Sequence, residues 1–172
     1  MKRLFVCAAL ACVAVSLDAV SASAQIGGFR NAASKIEGEL GLHHRSAYRS
    51  VSHARDYAYD YGTYGSTSSE IATEPATAHS EGIKHNIDTA KKHYAKAKKA
   101  HAADKDTVAA LDAILEHLAA AEKAHEKLHA TSTKGEIDEA TAKKEIEAVT
   151  AELEKAVKAH EDLVKKLSEK KS

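Results

Sequence analysis

Residues 106–130 read DTVAALDAILEHLAAAEKAHEKLHA, and this stretch decides the fold class. Apolar residues recur at three- and four-residue steps, which at about 100° per residue places them on one face of a helix. Followed to its end, that face carries Val108, Leu111, Leu115 and Leu118 and then Glu122, His125 and His129. The stripe therefore turns from aliphatic to ligand-like along a single helix. The stretches on either side behave in the same way. Upstream, Ile83, Ile87, Ala90, Tyr94 and Ala97 lead to His101; downstream, Ile146, Val149, Leu153 and Val157 lead to His160, with Val164 and Leu167 beyond. Three successive helices each aim at least one imidazole inward, where an aliphatic residue ordinarily fills a core.

Ala, Lys, Glu and Leu dominate this part of the chain, and all four are strong helix formers. The pattern predicts helices over about 77–102, 106–130 and 136–169. Asp104 or Asp106 is placed to cap the second, and Thr133 with Glu136 has capping-box spacing for the third. Short connections make the three helices antiparallel neighbours. Acids stand four residues before bases at Asp88/Lys92, Glu139/Lys143, Glu154/Lys158, Glu161/Lys165 and Asp162/Lys166, the mark of a solvated face. Lys91, Lys92, Lys96, Lys98 and Lys99 are read the same way. The formal net charge of 0 gives no bulk attraction to nucleic acid.

The chain opens on Met1-Lys2-Arg3, runs apolar from Leu4 to Val20 apart from Ser16 and Asp18, and reaches Ala22-Ser23-Ala24. A basic start, a short apolar run and a small-residue site describe a signal peptide cleaved after Ala24, not a span. Export to a periplasmic or extracellular space is expected. Cys7 and Cys12, the chain's 2 cysteines, fall inside that segment, which leaves no thiol for a disulfide, a thiolate metal site or a nucleophile. A lipid anchor on Cys12 is the competing reading.

Between Gln25 and Glu74 aliphatics are scarce and Ser, Tyr, Gly, Arg and His are frequent. Such a composition offers little apolar surface against the entropy of ordering, so a disordered tail is expected, with its removal leaving the helical domain intact. A helix over Ala47, Val51, Ala54 and Ala58 fits the spacing, though Gly38 and Gly41 oppose extending it upstream. Pro75 marks the boundary. The expected organisation is thus a signal peptide over 1–24, a Ser/Tyr/His/Arg-rich tail over 25–75 and an all-α domain over 76–172. That domain is an antiparallel three-helix, coiled-coil-like unit, small enough that self-association would help complete its core.

His125 and His129, four apart, stand one above the other as two imidazoles sharing a metal do, and Glu122 adds a carboxylate three residues earlier. The bland reading is a helix end fraying into water, where the dipole favours histidine. Di-iron chemistry would require a second Glu-x-x-His, which the chain lacks. Folding back at the two breaks sets positions level where their numbers add to about 209 in the first and second helices, and about 266 in the second and third. His101 and His160 then share one end. At the other, His79 is expected to join Glu122, His125 and His129 in a four-ligand set. His43, His44 and His53 lie in the presumed tail and His85, His93 and His117 off the stripes.

Thiolates being absent, imidazole-rich sites suit zinc or Cu(II). No phosphate loop, haem-attachment motif or nucleophile–base arrangement is present, and the chain offers few bulky walls for a porphyrin. The functional expectation is a non-enzymatic helical bundle binding zinc or copper, without haem or nucleotide. The alternative is a metal-free structural or protein-interaction bundle of the cell envelope.

Overall fold

The computed structural model describes residues 38–67, 71–133 and 138–169. The expected signal peptide, its cleavage site and both cysteines lie outside them. The described chain is all-helical, with α1 spanning Gly38–Thr67, α2 Thr73–Ala100, α3 Lys105–Ser132 and α4 Glu139–Glu169. Neighbours pack in the cyclic order α1–α2–α3–α4–α1, without backbone contact across either diagonal. The result is a square four-helix bundle.

Pairings across each seam show that neighbours run antiparallel. On α2 and α3, Ser80 meets His129 while Lys98 meets Asp112. On α1 and α2, Tyr61 meets His79 while His44 meets His101. Tyr48 meets Glu161 and Tyr59 meets Glu154 between α1 and α4. The expected level of about 209 for the α2–α3 seam agrees with these partners, and His117 with Glu152 lies close to the expected 266.

The core is a heptad pattern in every helix. Buried positions are Ala76, Ser80, Ile83, Ile87, Ala90, Tyr94 and Ala97 in α2, and Thr107, Leu111, Ile114, Leu118, Ala121, His125, Leu128 and Ser132 in α3. In α1, His44, Ala47, Val51, Ala54, Ala58 and Tyr61 follow the same alternation of three and four. A repeat of 3.5 residues keeps each seam facing its neighbours along the whole bundle, as in coiled coils.

α1 corrects the expectation of a three-helix unit after a disordered tail. Its core positions are mostly alanine, so the segment looks too polar to fold alone. Paired with the larger side chains of α2 and α4, those alanines allow close packing. Ala47, Val51, Ala54, Ala58 and Tyr61 are completely buried. The same chain thus contributes a fourth helix to the core.

Helix ends depart from expectation in detail. Asp104 is the cap of α3, its carboxylate accepting from the Thr107 N–H at 3.1 Å and hydroxyl at 2.9 Å. Thr133 closes the C-terminus of α3, its N–H and hydroxyl both donating to the His129 carbonyl. It does not open α4; Asp138 accepts there from the Thr141 N–H at 2.8 Å. Pro75 sits in the first turn of α2, where a missing N–H has no helical partner to lose. None of the acid–base pairs read from the sequence is an ion pair among the described residues. Lys91–Glu122 and Lys98–Asp112 instead join α2 to α3, and Lys84–Asp88 runs in the opposite order along α2.

Candidate histidine clusters at the two ends of the bundle

Two tyrosines cross the bundle, one near each end. Tyr61 reaches from α1 to Ser132 of α3 at 2.7 Å, and Tyr94 from α2 to His160 Nδ1 of α4 at 2.8 Å. Both rings are fully buried, and small neighbours such as Ala58, Ala90 and Ala97 leave them room to lie across the centre. Each tyrosine marks a polar end of an otherwise apolar core.

At the α2–α3 end, His125 is buried and His129 half-buried, their rings 5.9 Å apart and nearly parallel. The Ser80 carbonyl lies 2.8 Å from His125 Nε2; a carbonyl can only accept, so Nε2 carries the proton and donates. The Ser80 hydroxyl stands 3.1 Å from His129 Nδ1. Burial holds His125 below the usual imidazole range, against the opposing bond to Ser80.

The four-ligand set expected here is not assembled. His79 stacks on Tyr61, with centroids 5.8 Å apart and planes 16° from parallel, and sits between Tyr57 and Tyr64. It faces α1, a helix that the spacing of Ala47, Val51, Ala54 and Ala58 indicates only in its middle. Glu122 lies at the flank of α3, where Lys91 takes its carboxylate. The Ser80 position, three residues before Ile83, faces α3 in place of His79. Among the described residues no group of three or more histidine, cysteine or acidic side chains is arranged to hold a metal ion.

The opposite end brings His101 and His160 together, joined by a residue assigned to the tail. His44 lies between them, its ring 5.4 Å from His101 and 5.6 Å from His160. Its Nε2 approaches His101 Nε2 to 3.2 Å. Tyr48 and Tyr94 flank His160 at 5.3 and 5.5 Å. His44 and His160 are completely buried. Burial lowers the His44 pKa to about 4, with His101 and His43 adding to the shift, and drives His160 further in the same direction with His44 contributing. His44 Nδ1 finds no hydrogen-bond partner among the described residues. Burial also keeps Tyr94 protonated, its pKa pushed well up, while Tyr48 rises to about 12 through burial and its bond to Glu161.

Compared with known proteins, the chain matches no protein-family model, no curated protein and no solved structure. The clusters must be judged on their own chemistry.

The two ends differ in kind. At the Ser80 end His125 and His129 each meet a hydroxyl or carbonyl, which satisfies them as core polar groups. At the His44 end imidazole meets imidazole. Of two neutral rings facing through Nε2, only one can donate, and the 3.2 Å separation is long for that bond. The signal for this end was present in the sequence: His44 precedes Ala47, Val51, Ala54 and Ala58 at the same spacing. Extending that stripe one step upstream would have found it. A groove of about 510 Å³ between α1 and α4, lined by Ala58, Gly62, Ala142 and Ile146 among others, has no histidine in its walls. Among the described residues no helix is long and apolar enough to cross a membrane.

Proposed function

We propose that this protein is an exported, non-enzymatic four-helix bundle that binds a transition-metal ion, zinc or copper, through His44, His101 and His160. The carrying observation is the His44 Nε2 to His101 Nε2 distance of 3.2 Å. Two imidazoles bound to one tetrahedral ion at about 2.0–2.1 Å stand about 3.3–3.4 Å apart, so these rings are spaced as co-ligands without further movement. His160, its ring 5.6 Å from that of His44 and held by Tyr94, would have to turn toward the pair to supply a third ligand, since among the described residues no three such side chains are already so arranged. With Nδ1–H donating to the tyrosine oxygen, Nε2 is the coordinating atom, the arrangement by which outer partners orient metal-bound histidines. Burial holds His44 and His160 neutral at pH 7, as ligands must be. Export rests on the Met1–Ala24 pattern.

A metal-free structural role is the second reading, favoured by the Ser80 end, where hydrogen bonds account for both histidines. Titration calorimetry of the metal-free chain with Zn(II) and with Cu(II) separates the two. A tight equivalent that disappears in His101→Gln, a half-exposed position whose change spares the core, is the expected result. Heat of binding that is absent in the wild type, or unaltered by His101→Gln, defeats the metal reading.

A further inference from the structure

A second histidine pair adjoins the inner cluster and opens toward solvent. His43 Nδ1 lies 3.3 Å from His93 Nδ1, with ring centroids 5.5 Å apart. Sequence reading set both aside, His43 as tail and His93 as surface. The spacing is again that of two imidazoles on one tetrahedral ion. The surroundings differ: His93 is half-exposed, whereas His44 is fully enclosed. His43 and His44 are consecutive, with Cα atoms about 3.8 Å apart, so one backbone step on α1 joins the outer pair to the inner one.

We infer that His43 and His93 form an outer, weaker site for the same Zn(II) or Cu(II) ion and pass it to the buried His44–His101–His160 cluster. The inference rests on the metal-binding reading above. Enclosed ligands give an ion long residence but poor access, so an internal site requires an access route. The outer pair supplies it: two ligands instead of three, and solvent on the His93 side. Each weakness shortens residence there, as a transfer station requires. Movement inward is ligand exchange between neutral imidazoles, in which a proton held between two facing nitrogens moves to the other nitrogen of its own ring as the ion takes its place.

The test uses the full chain, stripped of metal, with free Zn(II) and Cu(II) as probes. Stopped-flow mixing measures the rate of loading, and calorimetry measures stoichiometry. His93→Gln, at a half-exposed position on α2, is expected to retain the tight inner equivalent, lose the weak second one, and load more slowly by about tenfold or more. His43→Gln, whose ring packs against the same partner from α1, should reproduce that result, guarding against a folding defect peculiar to one variant. Unchanged loading rate and stoichiometry in both variants, beside a normal inner equivalent, would overturn the relay and leave the inner site standing. A wild type that binds no metal overturns both. A second weak equivalent that persists in both variants overturns the assignment of the outer site to this pair.

Discussion

Acid should loosen this bundle through its buried imidazoles, and His44 allows the size of the effect to be worked out. The ring is enclosed by His101 at the C-terminal cap of α2, His160 on α4, and His43 on its own helix. Its folded-state pKa is about 4 against 6.5 for the free side chain, burial being the largest cause. Above pH 6.5 both folded and unfolded chains hold the ring neutral, and its contribution to stability is fully present. Below that value the unfolded chain takes up a proton that the folded chain refuses, at about 1.4 kcal/mol per pH unit. By about pH 5 the loss from His44 alone is about 2 kcal/mol, and it levels off near the folded-state value. His125 and His160 shift in the same direction and add to the slope. The measurement is urea unfolding of the metal-free protein between about pH 7.5 and 4.5, wild type beside His44→Leu. The Leu variant should lose less stability on acidification, the two curves diverging by about 2 kcal/mol at pH 5. Parallel curves would refute the reasoning, because they would mean that the His44 ring reaches water in the native state.

Removing residues 1–70 should abolish cooperative unfolding, contrary to what the sequence alone suggests for that region. Val51 and Tyr61 each bury a large side chain worth about 1.5–3 kcal/mol, and their loss also uncovers Ile83, Ile87 and Leu153; against a typical total of about 5–15 kcal/mol, little would remain. Thermal melts followed by circular dichroism test this, and a sharp transition at the wild-type temperature would argue against a core role for α1. Tyr61→Phe should cost about 1 kcal/mol in chemical denaturation, the value of one neutral hydrogen bond. The small size follows from geometry: the Ser132 hydroxyl already donates to the Leu128 carbonyl at 2.7 Å, so only the tyrosine's bond is lost. A loss above about 3 kcal/mol would point instead to a wider polar network at that end.

Helix content, antiparallel order and the polar character of the seam ends were legible because they depend on period and composition. α1 was legible only as a short stretch over residues 47–58 and not as a full member of the core, for a physical reason. An alanine seam offers little hydrophobic signal of its own, and its stabilisation comes from the Tyr, Ile and Leu side chains of other helices that fill the space alanine leaves. Sequence statistics applied to one segment cannot register a contribution made by its neighbours. His44 was lost with it, and His44 is the residue that turns His101 and His160 from isolated core histidines into a cluster.

The candidate ligands at the other end failed for a different reason, since axial level and rotational phase are separate quantities. Level follows from chain length and the turn, and Ser80 does meet His129 where counting places it. Phase depends on which residues define the centre of the stripe. Val108 and Leu115 share the apolar stripe of the sequence but are only half-buried, whereas Thr107, Leu111, Ile114 and Leu118 are buried. Reading Ile114 in place of Leu115, with Leu111, Leu118 and His125 kept, turns the stripe on α3 by about 50–60°, which brings Leu128 into the seam and moves Glu122 to the flank within reach of Lys91. On α2 the stripe from Ile83 to Ala97 is in phase, and the error lies in extending it upstream by four residues to His79 instead of three to Ser80: adjacent residues face different neighbours, α1 for the first and α3 for the second. A four-ligand site requires phase to within a fraction of a turn on every contributing helix, and a heptad read one position off loses it while keeping the right fold.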